Sequence, residues 1–223
     1  MTKSYTFRFE VVSNNLGFLL SGIKATLLVT AAALSLGMVI GLVVGLGRMS
    51  KRPWLSGPAT GYVEVFRNTP ALVQLIWVYY CLPILTGINM SAAISCTVAL
   101  AVNGAAYIAE IFRGGIQSVD RGQVEAARTL GMSYGQTMRK IVLPQAFRRM
   151  LPPFVNESVA LLKFSSLVSV LGVADLTYQA QVLSTTTFRP IEIFTFIAIV
   201  YFVLCTLLSY GAQRLERRLA VSD

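Results

Sequence analysis

The chain has 223 residues, of which 55% are hydrophobic and only 13% charged, with a mean hydropathy of +0.64. Soluble globular domains carry about 25% charged residues, so the composition excludes an ordinary soluble enzyme and points to an all-α integral membrane protein. A net charge of +9 would suggest a nucleic-acid partner in a soluble chain, but the positions of the basic residues argue for orientation in a bilayer and against nucleic acid.

The first twenty residues carry Lys3, Arg8 and Glu10 around a broken apolar pattern, and no removable leader is expected there. Span one, about residues 22–47, contains the uncharged run 25–47. That is too long for a signal-peptide core and long enough for the about 20 residues of a bilayer crossing. Gly37, Gly41 and Gly45 recur on one face at four-residue intervals. Lipid offers no hydrophobic drive between helices, so such a face serves close backbone approach, within the chain or against a second subunit. A turn with Arg48, Lys51, Arg52 and Trp54 follows.

Span two, about 59–85, opens with Glu64 and Arg67 at i,i+3, where they can pair. Span three, about 92–112, ends with Glu110 and Arg113 at the same spacing. Residues 68–109 contain no Asp, Glu, Lys or Arg, leaving room for two crossings and a turn. Spans four and five are expected at about 153–173 and 191–211, separated by a polar, Thr/Ser-rich stretch, 175–190, read as a periplasmic loop with a short helix. About five transmembrane helices thus make one transmembrane domain over 1–223. Internal repeats are absent, so any two-fold symmetry must come from a second subunit.

The segment between spans three and four, about 113–150, is polar and basic. Asp120 is placed to cap a helix starting at Arg121. Gly131 supplies the left-handed residue that closes it. A second helix over 132–142 is expected to stop at Pro144, which lacks an amide donor. With five spans, this segment (Arg113, Arg121, Arg128, Arg139, Lys140, Arg148, Arg149) lies on the same side as Arg48, Lys51, Arg52 and as Arg214, Arg217, Arg218. Basic loops stay cytoplasmic, which predicts a periplasmic N-terminus, a cytoplasmic C-terminus and a cytoplasmic lever at 113–150.

Within that lever the order is Glu125-Ala126-Ala127, three residues, Gly131, nine residues, then Ile141-Val142-Leu143-Pro144. This spacing resembles the EAA loop of bacterial ABC-importer permeases at every defining position. FRNTP (66–70), EIFRGGIQSV (110–119), QAFRRMLPPFVNE (145–157) and KFSSLVSVLGVADL (163–176) are similar to the polar amino acid branch of those permeases. The resemblance implies a type I importer fold in a multi-pass protein of the bacterial inner membrane. It also implies a second permease subunit, identical or not, two ABC ATPase subunits on the cytoplasmic side, a periplasmic amino-acid-binding protein and a small amino acid as cargo. In such permeases the EAA loop takes up the motion of the ATPase, which assigns that role to Glu125, Ala126, Ala127, Gly131, Ile141, Leu143 and Pro144.

What is missing fits a division of labour. No lysine follows a glycine, so the phosphate-cradling G-x-x-x-x-G-K-[ST] loop is absent, and ATP and Mg are expected on the partner ATPase. No catalytic residues, cofactor or metal are expected in this chain. Histidine is absent, and Cys81, Cys96 and Cys205 stand singly in apolar contexts.

Ionisable groups inside spans are costly and mark substrate paths. Lys163 in span four is the clearest, with Arg67, Thr69, Glu110 and Arg113 nearer the cytoplasmic ends and Ser165 and Ser166 as hydroxyl partners. The bland alternatives are intrahelical pairs for Glu64–Arg67 and Glu110–Arg113, and snorkelling or a pair with Glu157 for Lys163. Many relatives carry an acidic or amide side chain after this lysine, where Phe164 stands here. That predicts acidic or neutral polar amino acids such as glutamate, glutamine or aspartate over cationic ones. Three other readings remain open: an ATP-independent channel or secondary transporter, a membrane-embedded enzyme, which the lack of histidine and the few intramembrane acids disfavour, and a permease with no substrate site of its own.

Overall fold

Gly37, Gly41 and Gly45 on one long helix face Ala101, Ala105 and Ala109 on another, and this seam organises the architecture of the chain. A Cβ on Gly41 would stand 2.6 Å from Ile108 Cγ2 and 2.9 Å from the Ala105 carbonyl oxygen; one on Gly45 would stand 2.9 Å from the Ala109 carbonyl oxygen. Small residues on both sides bring the backbones close enough for dispersion to replace the hydrophobic drive that lipid lacks. The glycine face therefore packs within the subunit.

The computed structural model describes the backbone of residues 5–220 and the side chains of residues 5–214; Lys3 and the side chains of Arg217 and Arg218 lie outside them. A short helix α1 (Glu10–Asn14) precedes the long α2 (Leu16–Arg48). Next come α3 (Pro53–Arg67), α4 (Ala71–Ile76), a π-helical turn (Trp77–Cys81) and α5 (Leu82–Thr86). Then follow α6 (Ala92–Gln117), α7 (Arg121–Thr129), α8 (Tyr134–Thr137), a second π turn (Met138–Val142) and α9 (Leu143–Phe164). A 3-10 segment (Ser165–Leu171), α10 (Leu176–Thr187) and α11 (Pro190–Ala220) complete the order. The described residues contain no strand.

Among the described residues, four helical stretches are long and apolar enough to cross a membrane: Leu16–Arg48, Ala92–Gln117, Tyr134–Leu171 and Pro190–Arg214. The fifth expected crossing, 59–85, is not straight. Pro53–Arg67 and Ala71–Thr86 meet at a bend of 107°, because Pro70 has no amide donor and sits extended at ψ 134°. The carbonyls freed at the break need new partners, and Gln74 Nε2 donates to the oxygens of Phe66 and Thr69 at 3.0 Å each.

Pro144 also behaves differently from its sequence expectation. It does not stop a helix; Tyr134–Leu171 runs on as one stretch. The five-residue π turn immediately before it widens the backbone where the proline ring would otherwise press on the carbonyl of Lys140, so the helix passes through. The polar stretch 175–190 contains the expected helix, α10, which occupies most of it. Asp175, fully buried, caps α10 by accepting from Tyr178 N at 2.8 Å, and Thr26 Oγ1 of α2 accepts from Leu176 N at 3.2 Å. Val12, Leu19, Leu176, Ala180, Leu183, Ile193 and Ile197 then close a cluster joining α1, α2, α10 and α11.

Candidate functional site

Two features built by different physics carry chemistry: an arm outside the apolar spans, and a polar cavity at the break between α3 and α4. In the arm, Asp120 Oδ1 accepts from Gly122 N at 2.6 Å, starting α7. The helix ends in a paired closure: Met132 N donates to Ala127 O and Gly131 N to Arg128 O, both at 3.0 Å. Gly131 stands at φ +77°, as this Schellman turn requires. A reciprocal box then opens α8, with Ser133 N donating to Gln136 Oε1 at 2.9 Å and Gln136 N to Ser133 Oγ at 3.4 Å.

The arm is tied to the spans through its own small core of Val119, Val142, Ala146 and Met150, packed with Phe112, Val124, Met138 and Phe154. Phe112 and Phe154 meet edge-on at 5.1 Å. Gln145 Nε2 donates to Gln123 Oε1 at 2.6 Å, and Arg149 donates to the Ser118 carbonyl. Of the sequence-assigned coupling residues, Ala127 is buried in this packing, whereas Glu125, Ala126 and Pro144 are exposed and Ile141 is half-buried. Val142, the unassigned residue between Ile141 and Leu143, is the one turned inward. Large apolar side chains remain outward: Leu130 is 82% exposed, Tyr134 70% and Leu143 45%.

Where α2, α3 and α6 end, Glu110 collects three guanidinium groups. Arg113 donates to it twice, at 3.0 and 2.8 Å. Arg48 bonds the same carboxylate, and Arg67 lies 3.8 Å away. The expected Glu110–Arg113 pair is present. Glu64 lies 3.8 Å from Arg48 and accepts from Asn68 at 3.1 Å, so its described contacts run to other partners than Arg67. Charge-assisted bonds hold Arg48 and Arg113 in place. Arg67 has the looser contact to Glu110, the Tyr107 ring 5.4 Å from its Cζ and an electrostatic attraction to Glu157.

Arg67 also borders a cavity of about 400 Å³ lined by Asn68, Thr69, Asn103, Tyr107, Phe164 and Leu167 together with residues 70–72. Asn103 Nδ2 donates to Gln74 Oε1 at 3.1 Å and to Phe66 O at 3.2 Å. Gln74 Nε2 donates to Thr69 Oγ1 at 2.5 Å. Asn103 Oδ1 and Glu157 Oε1 are buried without a hydrogen-bond partner among the described residues. Glu157 Oε1 sits beside Gly104, 3.5 Å from where its Cβ would be. Unpaired buried acceptors are costly, which makes them receptive to an N–H donor.

The structure therefore brings Arg67 and Thr69 together at the cavity and leaves Glu110 and Arg113 in the adjoining charge cluster. Lys163 is exposed and outside the cavity lining. Ser165 Oγ and Ser166 Oγ donate back to the carbonyls of Leu162 and Lys163, each at 2.7 Å. Sequence reasoning passed over Asn103, Gln74 and Tyr107. The available signal was two amides inside a run without charge, since polar side chains in a span are there to be bonded. No group of three or more metal-ligating side chains is assembled among the described residues.

Residues 37–221 match the family described as "Binding-protein-dependent transport system inner membrane component". The chain is 36% identical over 218 residues to the arginine transport system permease protein ArtQ of Bacillus subtilis (strain 168), covering 96% of this chain and 98% of that protein. It is 36% identical over 217 residues to the glutamine transport system permease protein GlnP of Escherichia coli (strain K12), covering 96% and 99%. The solved structure of an amino acid ABC transporter with histidines superposes with a TM-score of 0.90 at 41% identity, covering 96% of this chain and 100% of that one.

Proposed function

The chain belongs to the family of binding-protein-dependent transport system inner membrane components, and from that premise we propose that it is the membrane-spanning permease of an ATP-driven amino acid importer. Two such permeases, identical or not, pair in the inner membrane with the N-terminus periplasmic and the arm cytoplasmic. Two ABC ATPase subunits grip the arms and hold the ATP and Mg; a periplasmic binding protein delivers the cargo. This reading rests chiefly on one observation: a glycine-closed arm with the EAA spacing presents Leu130, Tyr134, Leu143 and Phe147 outward. Exposed large apolar groups on a rigid polar segment mark a protein contact.

The mechanism follows from the attachments. The arm moves as a unit because its core packs on α6 and α9. Closure of the ATPases draws paired arms together, turns α6 and α9, and changes which side of the membrane the cavity meets. In the cavity the loosely held Arg67 can take a substrate carboxylate, and Asn103 Oδ1 can accept from an ammonium group. The Glu157 carboxylate is buried outside the lining. Among the described residues, Arg67 is the one charged side chain in the lining, and Phe164 contributes a ring and no carboxylate. Both favour neutral or acidic polar amino acids over cationic ones.

The test is ATP-dependent uptake by the importer reconstituted with its ATPase and binding protein. Glutamine, glutamate or aspartate should accumulate only with ATP. Flux through the purified chain alone, without ATP, would assign the channel reading instead. Efficient arginine uptake would overturn the substrate class while leaving the importer intact.

A further inference from the structure

Residues 5–9 form a strap, irregular over 5–8 and turned at Phe9, fixed across the head of α11 by a carboxylate with no exposure at all. Glu192 accepts from Tyr5 Oη at 2.5 Å and from Arg8 N at 3.0 Å. Arg189 donates to the Thr6 carbonyl at 2.9 Å, lies 3.6 Å from Glu192 and sits over the Tyr5 ring at 5.5 Å. The rings of Tyr5, Phe7 and Phe9 stand in a ladder, the first pair edge-on and the second stacked, with centroids 5.3 and 6.2 Å apart. Phe7 is 64% exposed and Phe9 53%. The neighbouring Phe188, in the left-handed region at φ 56°, is 83% exposed. Nothing in the importer reading requires this clamped aromatic face.

Its depth can be read from α11. The uncharged run 193–213 measures about 30 Å at a rise of 1.5 Å per residue, the thickness of the hydrocarbon layer. One edge of that layer therefore falls at Ile193, and a strap clamped to Glu192 lies at the level of the lipid glycerol and headgroups. Only 17% of the apolar window of α11 is buried within the chain. Its head continues the exposed apolar surface through Ile191 and Phe194, so the aromatic ladder extends a lipid-facing flank. Aromatic rings concentrate at this depth, and Arg8 among them suits lipid phosphate.

We propose that residues 5–9, with Phe188, form an interfacial anchor that seats its rings in the phospholipid leaflet on the N-terminal side and is locked to the last span by Glu192. The test places a tryptophan at position 7 (Phe7→Trp) in a chain carrying Trp54→Phe and Trp77→Phe, with the full importer reconstituted into phosphatidylcholine and phosphatidylglycerol vesicles. Blue-shifted emission is expected, quenched more strongly by lipids brominated near the glycerol than by lipids brominated at the chain end. Adding Glu192→Gln should shift the emission to the red and weaken the quenching as the strap is released. Water-like emission without bromine quenching overturns the proposal. So does blue-shifted emission insensitive to bromolipid, which would assign the face to a second copy, and so does a change seen only on adding the binding protein.

Discussion

At Gly41 an added Cβ would stand 2.6 Å from the Ile108 side chain and 2.9 Å from a backbone carbonyl, while at Gly131 it would meet nothing within 4 Å. Yet both positions demand glycine. In the seam between α2 and α6 the scarce quantity is space. At the elbow of the arm it is torsion, since φ is +77° and a side chain there clashes with its own backbone. The comparison teaches that spans and arm should fail in different ways: crowding the seam removes the fold, whereas on the proposed reading straining the elbow leaves the fold and removes the coupling.

The seam should give the larger effect. Gly41→Leu is expected to abolish accumulation of the permease in membranes, because neither the Ala105 backbone nor a facing helix can retreat far enough. Gly41→Ala should survive at a cost of about 1–3 kcal/mol, typical of overpacking, read as a lowered Tm of the purified importer. Trimming the neighbour with Ile108→Ala should recover only part of that loss, because the carbonyl contact remains. A normal Tm for Gly41→Ala alone would mean the helices separate more easily than this packing implies.

At the elbow, Gly131→Val should leave insertion and Tm nearly unchanged and abolish transport. A left-handed β-branched residue costs roughly 1–2 kcal/mol, about a tenfold loss of correctly closed arms, and two arms must act together. Gly131→Asn, which tolerates this backbone better, should retain a measurable rate. Equal transport by the valine and glycine forms in ATP-driven uptake would separate the arm from coupling altogether.

These two regions also differ in how far they could be read in advance. The elbow is local: Asp120 and Gly131 lie within a few residues of what they bond, so their roles follow from spacing, while the box at Ser133, equally local, was passed over. The seam was half legible, since the glycine face is visible but its partner is not. The rest was non-local or compensated. Glu110 shows Arg113 at i,i+3, but nothing in the sequence brings Arg48 and Arg67 to the same carboxylate. Pro70 and Pro144 look alike as breakers, and only the first breaks. A π turn absorbs the second, whereas the first leaves carbonyls that Gln74 and Asn103 bond. Lys163, the most prominent charge in the sequence, is exposed and outside the cavity lining, to which the next residue, Phe164, contributes instead.

At the ends of α2, α3 and α6 stands the Glu110 cluster. Glu110→Gln leaves three guanidinium groups around a neutral amide. A loss of roughly 1 kcal/mol is expected for a partly exposed group of this kind, seen as a Tm lowered by a few degrees. Uptake should fall more than Tm, because Arg67 loses its resting partner beside the cavity. A fall in Tm with unchanged uptake would confine the cluster to holding helix ends.

The smallest effect, and the sharpest on the cavity, is expected from Phe164→Glu. The cavity now offers one guanidinium, from Arg67, and an aromatic ring where a carboxylate would attract a cationic side chain. Supplying that carboxylate should raise arginine uptake relative to glutamine by several-fold, since a pair in a partly wet site is worth up to about 1 kcal/mol. The gain is capped because the new carboxylate also competes for Arg67, which should lower glutamate uptake in the same preparation. Both shifts must be measured with a binding protein that carries arginine as well as glutamine, or delivery would mask them. If the ratio stays fixed while total transport persists, selection lies wholly upstream of the membrane, and the seam, the elbow and the cluster describe a gate that is indifferent to what it passes.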